Sequence, residues 1–175
     1  MRRLLPFVPL ALLLLVVAAL VWRLATPSDT NVSSRMVGQL VPDLVLQPAI
    51  PGQPSRPLRS GNCGPAVINF FASWCVPCIA EAKKLAELKR QGVLITGIAV
   101  RDRPEDVAEF LARNGNPYQD IGADPQSKVQ IAFGASGVPE TFVVDPYCTI
   151  RHQHIGPIEE GDIPIIRNQV EALQK

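Results

Sequence analysis

The sequence predicts an α/β sandwich around a mixed central sheet, preceded by one N-terminal transmembrane helix. Three observations predict it. Continuous apolar runs of strand length alternate with helical patterns in the middle of the chain. A strand–turn–strand segment and a closing amphipathic helix follow. An uncharged apolar run stands at the front. Alternation of strand and helix followed by a hairpin and a last helix is the order of a layered α/β domain.

The front run is read from "MRRLLPFVPLALLLLVVAALVWRLATPS", where no charged residue occurs from Leu4 to Trp22. As a helix rising ~1.5 Å per residue it would roughly cross a bilayer core. Arg2 and Arg3 precede it, which holds the N-terminus in the cytoplasm and sends the remainder across. Trp22 stands where an interfacial aromatic belongs. Residues 1–24 are therefore expected to be a membrane anchor. The alternative is a cleaved signal peptide with Val17-Ala18-Ala19 at the cleavage site, although the run exceeds the roughly 7–15 apolar residues of such a segment. Residues 25–35, "ATPSDTNVSSR", are small and polar and form the expected linker. Residues 36–175 form the expected domain on the far side of the membrane. Export leaves all four cysteines where disulfides persist.

Within that domain, "MVGQLVPDLVLQPAI" predicts an edge strand or hairpin near residues 43–50, and "PGQPSRPLRSGNCGP" breaks regular structure repeatedly. "AVINFFAS" is continuously apolar, the mark of a central strand buried on both faces. A helix from about Val76 ends near Gly92, with Lys89 and Arg90 at its negative end. "VLITGIAV", 93–100, is a second buried strand. Pro104, Glu105 and Asp106 open another helix, which Asn114-Gly115 stops. A short helix covers 125–133. "TFVVD" and "TIRHQHIG" are strands joined through "PYC". The closing helix carries Ile166, Val170 and Leu173 on one face, with Asp162 as its cap.

Composition narrows the function. The 17 basic and 16 acidic residues leave a net charge of +1, and no Lys/Arg-rich block occurs, so nucleic acid is excluded as the expected partner. The informative motif is Cys75-Val76-Pro77-Cys78 at a strand-to-helix junction. A thiol at a helix N-terminus is stabilised as thiolate by unpaired N–H groups and the helix dipole, which is what disulfide exchange needs. Cys75 is thus the expected nucleophile and Cys78, one turn on, the resolving thiol. Trp74 would wall the exposed sulfur. A zinc site is the weaker reading, because no second CxxC exists and His152 and His154 are the only histidines. A purely structural Cys75–Cys78 bridge would close too short a loop to constrain much chain. No metal and no cofactor beyond the dithiol is expected.

"FFASWCVPC", "GNPY" at 115–118 and "GVPETFVVD" together resemble the thioredoxin-like thiol:disulfide interchange proteins of cytochrome c biogenesis, the DsbE type, over roughly residues 36–174. The resemblance implies a thioredoxin-like domain and a cis peptide between Val138 and Pro139 beside the sulfurs, where an extended substrate pairs with the preceding backbone. It implies reduction of the CxxCH disulfide of apocytochrome c, an integral-membrane thiol reductase as electron donor, and residence in the bacterial inner membrane with the catalytic domain periplasmic. Related reductases of other envelope proteins, or a non-catalytic module holding apocytochrome, haem or copper, are the alternatives. "VGQLVPDLVL" also resembles the entry of peroxiredoxin-like domains, but Ala72 stands where peroxide chemistry requires Thr.

Glu81 falls on the apolar side of its helix by a 100° projection. There it would be partly buried, with a raised pKa, and could exchange protons with Cys78; a dipole-satisfying first-turn acid is the competing reading. The resemblance favours the functional one, and likewise implies a role for Glu140 at the mouth of the site. Asn69 stands six residues before Cys75, where thioredoxin has a buried Asp. Cys63 precedes the central strand and Cys148 lies in the hairpin turn. In a thioredoxin-like sheet those strands are antiparallel neighbours, so a structural Cys63–Cys148 disulfide is expected, with two free thiols as the alternative.

Overall fold

A computed structural model describes residues 8–25, 36–52, 56–59, 63–64 and 66–174. The chain divides into two units, Met1–Ser33 and Ser34–Lys175. In the first, Val8–Ala25 form helix α1. Among the described residues no helix is long and apolar enough to cross a membrane. The transmembrane helix expected from Leu4 begins in residues outside the described ones, as does nearly all of the 25–35 linker.

The second unit has a thioredoxin-like α/β architecture. Its strands are β1 (Val45–Pro48), β2 (Arg56–Pro57), β3 (Ala66–Phe71), β4 (Leu94–Val100), β5 (Asp120–Asp124), β6 (Glu140–Val144) and β7 (Ile150–Ile155). They form a mixed sheet in the order β2-β1-β5-β4-β3-β6-β7. β3 runs parallel to β4 and antiparallel to β6, pairing Phe71 with Ala99 and Phe70 with Glu140. The helices are α2 (Val76–Arg90), α3 (Pro104–Asn114), α4 (Lys128–Ala132) and α5 (Asp162–Ala172).

The period of two along β3 divides the core. Val67 and Phe71 join Leu85 and Leu88 of α2, Phe110 of α3 and Ile166 of α5 on one face. Ile68 and Phe70 meet Phe133, just past α4, and Phe142 on the other. Phe70, Phe133 and Phe142 pack edge to face, with centroids 5.1–5.6 Å apart. Cover on both faces explains why all six β3 residues are buried.

Three expectations are corrected. Strand β5 was not expected: "DIGAD" has an acid at each end and a glycine between, so its apolar signal is one Ile and one Ala. It pairs all the same, parallel to β4 and antiparallel to β1. The helix expected over 125–133 is α4 alone, because Ser127 immediately before it is left-handed at φ 56°. Asp162 does not cap α5. Gly161 holds the cap position, and the Asp162 carboxylate instead accepts the Glu159 N–H at 2.8 Å.

Candidate active site

Strand β3 ends at Phe71, and the chain turns through Ala72, Ser73 and Trp74 into α2. Cys75 is the N-cap, with extended backbone (φ −87°, ψ 106°), and its Sγ accepts the Cys78 N–H at 3.2 Å. The sulfur therefore occupies the place a serine or aspartate oxygen takes at other helix starts, facing the Cys78 N–H, which it shares with the Cys75 carbonyl, and the positive end of the dipole. Val76 and Pro77 supply the first turn, where proline loses no hydrogen bond. Cys75 and Cys78 are bonded to each other, S–S 2.15 Å.

The expected exposed sulfur is not exposed in this disulfide form. Cys75 is 4% accessible and Cys78 1%, since both lie in the apolar cluster that holds Ala72 and takes Val138 at its rim. Exposure passes to their neighbours: Trp74 (59%), Val76 and Ile79 form an apolar rim. Trp74 is tied down, its Nε1 donating to the Arg101 carbonyl at 3.3 Å. Next to it, Asp102 accepts both the N–H (2.5 Å) and the hydroxyl (2.7 Å) of Ser73. The β4–α3 loop thus clamps the turn that presents the dithiol. Asp102 gives no sequence signal for this task, being 29 residues from Ser73.

The Val138–Pro139 peptide is cis. The next residue, Glu140, opens β6 beside Phe70, so Pro139 lies at the same sheet end as the dithiol.

Glu81 is wholly buried in α2, one turn beyond Cys78. No acid stands in the first turn of that helix, so the dipole reading of Glu81 falls. Its Oε1 accepts an Asn69 Nδ2 hydrogen at 3.0 Å, and its Oε2 accepts the Ile158 N–H at 3.1 Å. Burial pushes its carboxyl up to about 7, against the pull of those two donors. Asn69, also buried, gives a second hydrogen to Thr141 Oγ1 (3.0 Å) and accepts the Tyr118 hydroxyl at 2.8 Å. Burial, then the Glu81 charge, push the Tyr118 phenol well above its ordinary value. Thr141 and Tyr118 were not anticipated as partners, although the "GNPY" motif already marked Tyr118.

Glu140 is not at the mouth of the site. It is fully buried and pairs with Phe70, one register step from the Asn69–Thr141 pair, so it faces the opposite side of the sheet from Glu81. Its carboxylate accepts the Ser136 N–H (2.8 Å), the Ser136 hydroxyl (3.0 Å) and the Gln153 amide.

His152 and His154 project from one face of β7, paired with Val143 and Thr141. Burial holds His152 below its ordinary value, with His154 adding to this and Asp162 opposing it. Among the described residues no group of three or more His, Cys, Asp or Glu side chains is placed to hold a metal ion. At the far end of the sheet Cys63 and Cys148 are bonded, S–S 2.01 Å and Cα–Cα 5.1 Å, across 85 positions of sequence. Cys148 closes the β6–β7 turn in the left-handed region at φ 63°.

The chain has known relatives in sequence and in fold. The AhpC/TSA family model matches residues 37–153. The thiol:disulfide interchange protein HelX of Rhodobacter capsulatus is 35% identical over 99% of this chain and 97% of its own length. DsbE of Escherichia coli K12, also a thiol:disulfide interchange protein, is 33% identical over 90% and 88% respectively. The fold matches the thioredoxin domain of a thiol-disulfide oxidoreductase from Bacteroides vulgatus with a TM-score of 0.63, at 20% identity over 79% of this chain and 98% of that one. The chain belongs to the AhpC/TSA family and, within it, to the thiol:disulfide interchange proteins of the HelX and DsbE type.

Proposed function

We propose that this protein is a membrane-anchored, periplasmic thiol:disulfide oxidoreductase that reduces the CxxCH disulfide of apocytochrome c for haem attachment. One observation carries the chemistry: a cysteine sulfur caps α2, its partner sits one turn on, and a buried acid follows one turn later.

In the reduced form the Cys75 thiolate attacks one sulfur of a substrate disulfide. A Cys75–substrate bond forms, the substrate S–S bond breaks, and one substrate thiolate leaves. Cys78 then loses its proton to the Glu81 carboxylate and attacks Cys75, which restores the Cys75–Cys78 bond and frees the second substrate thiolate. Two electrons pass to the substrate. An acid that titrates at about 7 takes and returns a proton near neutrality without a large cost in either direction. Trp74, Val76 and Ile79 offer apolar surface to an extended chain, which would lie against Val138 and Pro139.

The substrate rests on the resemblance to cytochrome c biogenesis proteins. The charge-free run from Leu4 to Trp22, with Arg2 and Arg3 before it, supports a single-pass anchor with a cytoplasmic N-terminus. Reduction in an oxidising compartment requires a dedicated supply of electrons, which we assign to an integral-membrane thiol reductase.

A Cys78→Ser variant cannot resolve the mixed disulfide and traps the partner on Cys75. In cells making c-type cytochromes, the expected adducts are apocytochromes, identified by mass spectrometry after non-reducing separation. Adducts only with other envelope proteins would move the assignment to a related reductase. Absence of any adduct would overturn it, and metal retained by the purified protein would turn attention to a binding role.

A further inference from the structure

The "GNPY" motif carries family resemblance, yet the exchange steps above leave it without a task. The structure supplies one. Helix α3 stops at Gly115, whose φ of 86° suits glycine. Across Pro117 the Asn116 Oδ1 accepts the Tyr118 N–H at 2.9 Å, and Lys89 Nζ donates to the Asn116 carbonyl (3.0 Å) and the Tyr118 carbonyl (3.4 Å). The loop is fixed from both sides.

It delivers the Tyr118 ring over β4 at Gly97, where a Cβ would lie 2.9 Å from both Tyr118 Cγ and Phe71 Cε1. Only a residue without a side chain leaves room there for the stacked pair, whose centroids are 4.7 Å apart. The hydroxyl then reaches Asn69 on the neighbouring strand.

We propose that Tyr118 is a positioning residue for the buried acid of the dithiol site: its hydroxyl fixes the Asn69 amide so that an N–H, and not the carbonyl oxygen, faces Glu81. The buried Tyr118 hydroxyl donates to the amide oxygen, and a flipped amide would take that acceptor away from its hydrogen, so the hydroxyl favours the orientation that commits both amide hydrogens to Glu81 and Thr141. An N–H facing a carboxyl favours its ionised form. A flipped amide would turn oxygen toward oxygen, an arrangement that only a protonated Glu81 satisfies by donating. Tyr118 therefore acts through Asn69 to keep Glu81 able to accept a proton.

The inference rests on Glu81 being the acid that serves Cys78, and its test separates the two claims. In the full chain with Cys75–Cys78 oxidised, the Glu81 carboxyl is titrated by carbon-13 NMR in the wild type, Tyr118→Phe and Thr141→Val, using Glu81→Gln to assign the resonance. Tyr118→Phe keeps the ring and removes the clamp, and the midpoint should rise by about one pH unit. Thr141→Val removes an acceptor but leaves the clamp, so it should move the midpoint much less. An unmoved midpoint in Tyr118→Phe, or an equal rise in Thr141→Val, would overturn the proposal. The pH profile of reduced protein with a small disulfide is read alongside. A midpoint that rises while the rate profile stays put supports the positioning role and counts against Glu81 as the proton partner of Cys78.

Discussion

Each disulfide in the domain has a buried carboxylate three residues away along the chain. Glu81 follows Cys78, and Asp145 precedes Cys148. The two ends hold these carboxylates in opposite states. Glu81 meets only neutral donors, the Asn69 amide and the Ile158 N–H, and burial carries it up to about 7. Burial also works against ionised Asp145, but the Thr149 and Tyr147 N–H groups on Oδ1 and the Arg151 guanidinium, whose Nε and Nη2 both reach Oδ2 (2.7 and 2.6 Å), outweigh it. Its carboxyl is held below the ordinary value. The difference lies in the donors and in the depth of burial: Asp145 has two backbone N–H groups and a cation, whereas Glu81 lies deeper with one backbone N–H and one amide. The first set holds an anion that organises a turn; the second lets the acid change protonation near neutral pH. The disulfides differ in parallel, one closing a span of 3 positions and the other a span of 85.

Deleting each bond gives the largest contrast. In the chain-entropy account, stabilisation grows with the logarithm of the loop closed. Cys63→Ala with Cys148→Ala should cost about 4 kcal/mol in urea denaturation of the oxidised protein, while thiol exchange continues at the wild-type rate. Cys75→Ala with Cys78→Ala should cost about 2 kcal/mol or less and abolish exchange. Equal losses of stability, or exchange that fails in the first pair, would erase the distinction between a structural and a reactive bond.

Stability against pH sharpens the contrast between the carboxylates. A carboxyl raised in the folded state favours folding where it is protonated. The cost of ionising Glu81 is therefore absent below its unfolded value of 4.5 and complete above about 7. Across that window the wild type should lose roughly 3 kcal/mol relative to Glu81→Gln, by denaturant titration at pH 4 to 8.5. His152, held below its ordinary value, works in the opposite direction as the imidazole is titrated, so the difference between the two proteins is the quantity to read. A difference that stays flat from pH 4 to 8 would show that Glu81 is not neutral when buried.

Local signals and topology made much of this molecule legible in the sequence. The apolar run of β3, the proline and acids that open α3, and the turn between β6 and β7 are local, and each became the element expected. The Cys63–Cys148 pairing followed from the thioredoxin-like sheet that the resemblance implies, where β3 and β6 are antiparallel neighbours and the chain before one strand lies beside the chain after the other. Facing and long-range partners were harder. Glu140 and Thr141 are adjacent in sequence, yet the pleat sends them to opposite faces, and only the register against Phe70 and Asn69 says which faces Glu81. Ser73 and Asp102 meet across 29 residues, and Tyr118 reaches Asn69 across 49, with no pattern in either segment to announce it. β5 escaped because its burial comes from neighbours covering it; its own apolar signal is only Ile121 and the small Ala123.

The smallest expected effect tests the static end. Asp145→Asn keeps the shape but loses the charge, so Arg151 faces an amide, and an amide oxygen cannot replace both carboxylate oxygens for two N–H groups and a guanidinium. Because Arg151 is half exposed, solvent screens the pair, and the cost at pH 7 should be about 1–2 kcal/mol. The sign is opposite to that at Glu81. A carboxyl lowered in the folded state contributes stability above its unfolded value of 3.8, and this is lost as pH falls through the folded value. The gap between Asp145→Asn and wild type should therefore be present at pH 7 and shrink below pH 3.8, where the Glu81 gap is already closed. Denaturant midpoints at pH 7 and in strong acid read it directly. A gap of the same size at both would mean that hydrogen-bond geometry, and not the Arg151 charge, holds this turn.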